Sequence, residues 1–256
     1  MKNEMEVFER RFAEMMTSAA LPMDDILRYV AEGKGKRLRP TLVFQCAGLL
    51  GEVNEATFRT ALFVEMVHTA TLIHDDVVDG SGLRRGRASV NAKWGNVSAV
   101  LAGDHLLSKA ILLLADPSDN LILKEMLGTT MAMSEGELLQ LRVESEAASA
   151  YLDIITRKTA LLFRSCCVGG ALSVGASQEV VDKVGEFGLN FGLVFQMRDD
   201  ILDNDHPETT ALAEQLIPEY LDKALKALDA LAPYAKDLDT LSALRSLTVF
   251  SATRES

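Results

Sequence analysis

From residue 56 to residue 79, apolar side chains cover more than one helical face. Ala61, Leu62, Val64, Met66, Val67, Ala70, Leu72 and Ile73 form a stripe too wide for a helix lying on a surface. The pattern predicts a central helix with neighbours on most sides, stopped by Gly80-Ser81-Gly82. A second long apolar run, about Val97 to Ala115, ends near Asp116-Pro117-Ser118. No proline lies between Pro40 and Pro117 or between Pro117 and Pro207, so both stretches are free to be helical throughout. Further helices are predicted over 120–145, 148–175, 178–204, 213–232 and 237–251. No segment has the period-two alternation of a strand, and none is low in complexity or repeated at solenoid length. The pattern predicts one all-α domain.

Composition agrees: 48% hydrophobic residues with 6% aromatics and six prolines suit Leu-, Ala- and Glu-rich helices around a sizeable core. Charge narrows the partners. Twenty-six basic against thirty-seven acidic residues leave a net charge of -11, which argues against nucleic acid and against broad attraction to anionic lipid. Any bound anion must therefore be gripped locally. The most apolar segments carry Asp104, His105, Lys109 and Arg164, so no stable membrane insertion is predicted. The first residues mix charges and lack the features of a signal peptide, which predicts a cytoplasmic protein. Cys46, Cys166 and Cys167 include no CxxC pair and read as buried thiols in a reducing compartment.

One short self-similarity carries candidate chemistry. His74-Asp75-Asp76-Val77-Val78-Asp79 parallels Arg198-Asp199-Asp200-Ile201-Leu202-Asp203. On a helix, positions i and i+4 share a face, so Asp75 stacks under Asp79 and Asp199 under Asp203. Like charges in apolar surroundings need a cation, and an all-oxygen ligand set favours Mg²⁺, which completes its shell with waters and phosphate oxygens. A solvated acidic helix end would explain one cluster, but explains two less well.

Basic residues point the same way. Gly35-Lys36-Arg37-Leu38-Arg39-Pro40 places three cations just before a helix, and Lys36 and Arg39 can converge on one phosphate. Arg84-Arg85 follows the first cluster closely, and adjacent side chains diverge, so the two can serve different anions. Together with the metal clusters they suggest a polyphosphate ligand. His68 lies two turns before Asp75, and with no ligand-spaced cysteine or second histidine it reads as a hydrogen-bonding partner of a phosphate rather than a zinc ligand. Lys158-Thr159 lies in an apolar stretch, where the ammonium either meets an anion or snorkels to the surface.

These residues, in this order, resemble the trans-isoprenyl diphosphate (polyprenyl) synthase family from about residue 8 to residue 203. The segment 35–40 is similar to the family's isopentenyl diphosphate clamp, and His68 to Gly86 to its first aspartate-rich motif with the following arginine pair. Lys158-Thr159 and Phe195-Gln196 leading into Asp199 to Asp203 resemble its later blocks. The resemblance implies a single-domain bundle, 1–256, of long, mostly antiparallel helices around a central cavity. It implies that Lys36, Arg39, His68 and Arg85 hold isopentenyl diphosphate, and that Arg84, Lys158, Thr159 and Gln196 contact the allylic diphosphate. Asp75, Asp79 and Asp199 would be the main Mg²⁺ ligands, with Asp76, Asp200 and Asp203 supporting them. The implied reaction ionises the allylic diphosphate, adds the isopentenyl double bond and loses a proton, with no protein nucleophile or base. Small residues at Ala70 and Thr71, with Val67 deeper, imply a product longer than farnesyl, because short-chain relatives carry a bulky aromatic there. A homodimer is also implied.

The sequence departs from the family after Asp203. A lysine-bearing segment of a few dozen residues is absent, and Asn204 to Thr210 lead straight toward the helix expected over 213–232. The resemblance therefore leaves a rival reading, a noncatalytic or regulatory subunit of a heteromeric synthase. A terpene cyclase fits less well, since the basic clamp and second Asp cluster would have no role.

Overall fold

The computed structural model describes residues 1–33, 35–142, 148–204 and 207–255. Among them the chain is helical almost throughout. In order come α1 (Lys2–Met15), α2 (Leu21–Ala31), α3 (Leu38–Leu50) and α4 (Glu55–Val78), then a minimal hairpin of β1 (Leu83–Arg84) and β2 (Arg87–Ala88). There follow α5 (Val90–Trp94), α6 (Asn96–Leu113), α7 (Asn120–Arg142), α8 (Ala148–Ile155), α9 (Leu161–Ser173), α10 (Gln178–Asp203), α11 (Pro207–Leu231) and α12 (Leu238–Thr253). The all-α expectation holds. Two strands of two residues each are too short to leave an alternation in the sequence. The expected extension of the 120–145 helix over 143–145 lies outside the described residues, as do Asp205 and His206 after the second Asp cluster.

The apolar stripe of 56–79 becomes α4, and it is central: α1, α3, α5, α6, α7 and α9 all pack against it. Asn54 starts it with a capping box, its Oδ1 accepting the Thr57 N–H at 3.2 Å while Thr57 Oγ1 accepts the Asn54 N–H at 3.2 Å. The helix expected over 148–175 is interrupted. Thr156–Ala160 form a π-turn between α8 and α9, and one extra residue per turn leaves no mark in hydrophobic spacing. Helix α11 begins at Pro207 instead of Ala213, because a proline in a first turn lacks only an N–H that has no intrahelical partner.

The π-turn and the start of α9 approach α10 until Gly192 has no room for a side chain: a Cβ there would sit 2.7 Å from Ala160 Cα and 3.0 Å from Phe163 Cβ. Around this contact Phe163, Phe187 and Phe191 are fully buried, and Phe163 lies 5.4 Å from Phe191 and 5.0 Å from Phe195 by ring centroids. A smaller apolar cluster, including Tyr151, Leu193, Met197 and Ala213, lies around the carboxyl-terminal half of α10. All three cysteines are buried, as expected, and burial pushes the Cys166 thiol upward. Among the described residues no single helix is long and apolar enough to cross a membrane.

Candidate active site

The basic loop before α3 and the hairpin after α4 meet at one cavity. Lys36, Arg39, His68 and Arg85 all line it, with Arg37, Glu65, Phe195, Asp199 and Arg254. Arg39 is a largely buried cation of this cavity. Its Nη1 donates to His68 Nε2 at 3.0 Å, its Cζ lies 4.6 Å from the centre of the Phe163 ring, and its Nε is buried with no partner. Since a guanidinium only donates, His68 must accept at Nε2 and carry its proton on Nδ1. Burial and then the charges of Arg39, Arg85, Arg84 and Arg37 hold His68 well below the usual histidine range, so the ring is neutral. Burial also depresses Arg39 itself. A buried cation with an unmet donor beside further cations fits an anion with several oxygens.

The three cations of 36–39 are not equivalent. Arg37 has left-handed backbone, φ 51°, and its guanidinium turns to Glu9 at 2.8 Å and to the buried Glu65 at 2.6 Å, tying the loop to α1 and α4. Arg84 and Arg85 diverge as adjacent residues should. Arg84 reaches back to Asp76, its Nε donating to Oδ1 at 2.9 Å, while Arg85 donates to the Gly33 carbonyl at 3.1 Å. The Arg85 guanidinium lies over Gly35, where a Cβ would come within 3.0 Å of its Nη1.

Arg85 and Gly86, with φ of 52° and 75°, form the two-residue turn between the paired Arg84 and Arg87. Such a turn prefers Asn before Gly, and an arginine in left-handed backbone costs about 1–2 kcal/mol. Arg85→Asn should therefore keep or raise the melting temperature, relief of the turn offsetting the lost bond to Gly33. It should weaken binding of inorganic diphosphate about tenfold. Calorimetric titration beside thermal melts would refute this if stability fell with affinity.

Asp75 lies one turn before Asp79. Burial, and then the nearby Glu137 carboxylate, raise Asp75 to about 6, opposed by Lys158 and aided by Asp79. Asp76 faces another way: it is buried, and Arg84 neutralises it. Lys158, on the π-turn, lies 2.6 Å from Glu137 Oε2 and donates to Gln140 Oε1 at 2.7 Å. It meets one carboxylate and one amide oxygen rather than snorkelling free. Thr159 Oγ1 donates to Gln196 Oε1 at 2.8 Å, and Gln196 Nε2 donates to Asp200 Oδ1 at 2.8 Å. The π-turn thus reaches the second Asp segment through Gln196, while the Lys158 charge acts on Asp75 of the first.

In the second cluster Tyr151 donates to Asp200 Oδ2 at 2.6 Å, and burial nonetheless raises Asp200. Asp199 pairs with Arg254, whose guanidinium also lies 4.6 Å from the centre of the Phe195 ring. Arg198 Nε donates to the Arg254 carbonyl at 2.6 Å. Asp203 is exposed at the end of α10. Among the described residues no three His, Cys, Asp or Glu side chains gather closely enough to hold a metal ion. An all-oxygen carboxylate set of this kind fits an ion that draws other ligands from substrate and water. Thr71, one turn before Asp75, donates to the His68 carbonyl at 3.0 Å. Ala70 is fully buried one turn before His74, whose Nε2 would lie 2.1 Å from a Cβ on Gly103 of α6. Val67 is likewise buried.

Sequence reasoning missed Glu137, Gln140, Tyr151 and Arg254. Glu137 and Gln140 gave one available signal, an acid and an amide three apart on a predicted helix. Arg254 gave none, being an isolated cation far along the chain.

The Polyprenyl synthetase family model matches residues 21–211. The all-trans-nonaprenyl-diphosphate synthase (geranyl-diphosphate specific) of Rhodobacter capsulatus is 41% identical over 194 residues, 74% of this chain. Heptaprenyl diphosphate synthase component 2 of Geobacillus stearothermophilus is 32% identical over 206 residues, 79% of this chain. The chain spans 59% and 64% of the lengths of these two relatives. A crystal structure of polyprenyl synthase from Caulobacter crescentus, complexed with calcium and isoprenyl diphosphate, superposes with a TM-score of 0.88 at 28% identity. That match covers 100% of this chain and 96% of the other.

Proposed function

The chain belongs to the polyprenyl synthetase family, and on that premise we propose that it is a prenyltransferase joining isopentenyl diphosphate to an allylic diphosphate, with a product longer than farnesyl. The observation that carries this reading is the cavity where Lys36, Arg39 and Arg85 surround a neutral His68, with the buried Nε–H groups of Arg39 and Arg254 both unmet. Isopentenyl diphosphate sits there: Arg39 and Arg85 offer paired donors, Lys36 a point charge, and His68 its Nδ1 proton. The allylic diphosphate sits beside the first Asp segment, with Lys158 and Arg84 turning to it and Thr159 and Gln196 lining its approach. Asp75, Asp79 and Asp199 would hold Mg²⁺, which would supply Lewis-acid stabilisation of the departing diphosphate, with Asp76, Asp200 and Asp203 supporting them. Apolar helix walls keep water from the allylic cation. No side chain acts as nucleophile or base.

The test is incubation of the purified protein with Mg²⁺, labelled isopentenyl diphosphate and an allylic primer. Elongated prenyl diphosphates support the proposal, and hydrocarbon release would overturn it. The same assay decides a second reading, a subunit that needs an active partner. That reading draws on the relative described as a component and on the absent segment, since only three positions separate α10 from α11. Turnover only after adding another subunit would establish it. An intact mass of the native protein above that of this sequence would instead show that the segment exists.

A homodimer belongs to the proposal. Val97, Val100, Leu101 and Leu112 on α6, with Leu121, Met131 and Leu138 on α7, are large apolar residues left exposed. Burying them against a second copy would stabilise both, and sedimentation should give twice the monomer mass. For product length, we place the growing tail beside the small Ala70, five positions before Asp75, so Ala70→Phe should shorten the prenyl ladder. An unchanged ladder from the purified variant would reject that placement.

A further inference from the structure

Lys158 is held from two sides by one helix. Glu137 and Gln140, three apart on α7 and so on one face, both meet its ammonium, at 2.6 and 2.7 Å. Their grip is close because α7 presses on the π-turn: a Cβ on Gly136 would sit 2.6 Å from Arg157 Cβ and 3.1 Å from the Lys158 backbone nitrogen. Glu135 pins the neighbouring Arg157 at 2.8 Å. The wider π-turn splays three successive side chains, Arg157 to Glu135 and Asp153, Lys158 to Glu137 and Gln140, Thr159 to Gln196. An ammonium has three donors, so two fixed acceptors leave one for an incoming anion. A free lysine would lose its rotamer freedom on binding, whereas this one has already lost it.

We propose that Glu137 and Gln140 are positioning residues that keep Lys158 pre-placed beside Asp75 for the allylic diphosphate, setting affinity for that substrate and not for isopentenyl diphosphate. This rests on the prenyltransferase reading above. The acid of the pair matters more, since its bond to the ammonium is charged on both sides.

The test uses Glu137→Gln, Glu137→Asp and Gln140→Leu, with Glu137→Gln repeated beside Lys158→Met. Kinetics would give KM for each substrate, and calorimetric titration with an unreactive allylic thiodiphosphate in Mg²⁺ would report binding without turnover. Glu137→Gln should raise the allylic KM about tenfold and leave that for isopentenyl diphosphate within about twofold, and Glu137→Asp should recover part of the loss. In the Lys158→Met background the same change should have no further effect. Equal rises for both substrates, or an undiminished effect without Lys158, would overturn the proposal. A wild type that binds the analogue in this Lys158-dependent way yet transfers no prenyl group would sink the functional reading and leave the positioning role standing.

Discussion

Arg39→Leu should raise the KM for isopentenyl diphosphate by about 10²-fold or more, with the melting temperature held or raised. Arg39 is a largely buried cation of the cavity, bonded to His68, resting on Phe163, and with its Nε unmet. Charge-assisted hydrogen bonds contribute roughly 1.5–3 kcal/mol each, so losing two or more to a diphosphate reaches this range. Stability should move the other way, because burial depresses Arg39 and no carboxylate bonds it directly. Removing such a cation offsets the cost of leaving His68 Nε2 without its donor. Arg39→Lys should recover little, since an ammonium cannot make the planar two-point contact or lie flat on Phe163. Titration with isopentenyl diphosphate checks both variants, and full affinity in Arg39→Lys would refute the argument.

Much of this cavity was legible because its parts are local. A basic run ahead of a helix and a histidine two turns below Asp75 on a predicted helix can be placed before any tertiary contact is known. What was not legible depends on distant partners or on backbone detail. Lys36, Arg37 and Arg39 look alike in sequence, yet left-handed backbone at Arg37 turns its side chain to Glu9 and Glu65. Asp76 looks like a twin of Asp75 until the hairpin brings Arg84 onto it. The π-turn that splays Lys158 from Thr159 has no propensity signature, and Arg254 reaches the site from the end of α12, held by Arg198 at its carbonyl and by Asp199 at its guanidinium. Periodicity located the long helices, whereas side-chain partners across helices decided which charges are spoken for.

Asp75→Asn should lower kcat by about 10³-fold or more and at the same time stabilise the metal-free protein at pH 7. The kinetic effect follows from the proposed role of Asp75 as a metal ligand beside the leaving diphosphate, since stabilising developing charge contributes about 10²–10³ in rate even for one neutral donor. The stability effect follows from the carboxyl itself. Burial, then Glu137, raise Asp75 to about 6, against about 3.9 in an unfolded chain. Between those values the folded protein keeps a proton that the unfolded chain has released, so stability falls as pH climbs from about 4 to about 6. At pH 7 the ionised Asp75 is a net cost that asparagine does not carry. Melts in EDTA should show the variant above wild type at pH 7, with the gap closing as the pH is lowered toward 4. A gap of constant size would mean that shape and not charge separates the two proteins, and retained turnover would remove Asp75 from the metal site. Both results in the expected direction would make Asp75 a residue whose placement costs stability in the empty protein and is repaid only when cations and diphosphate arrive.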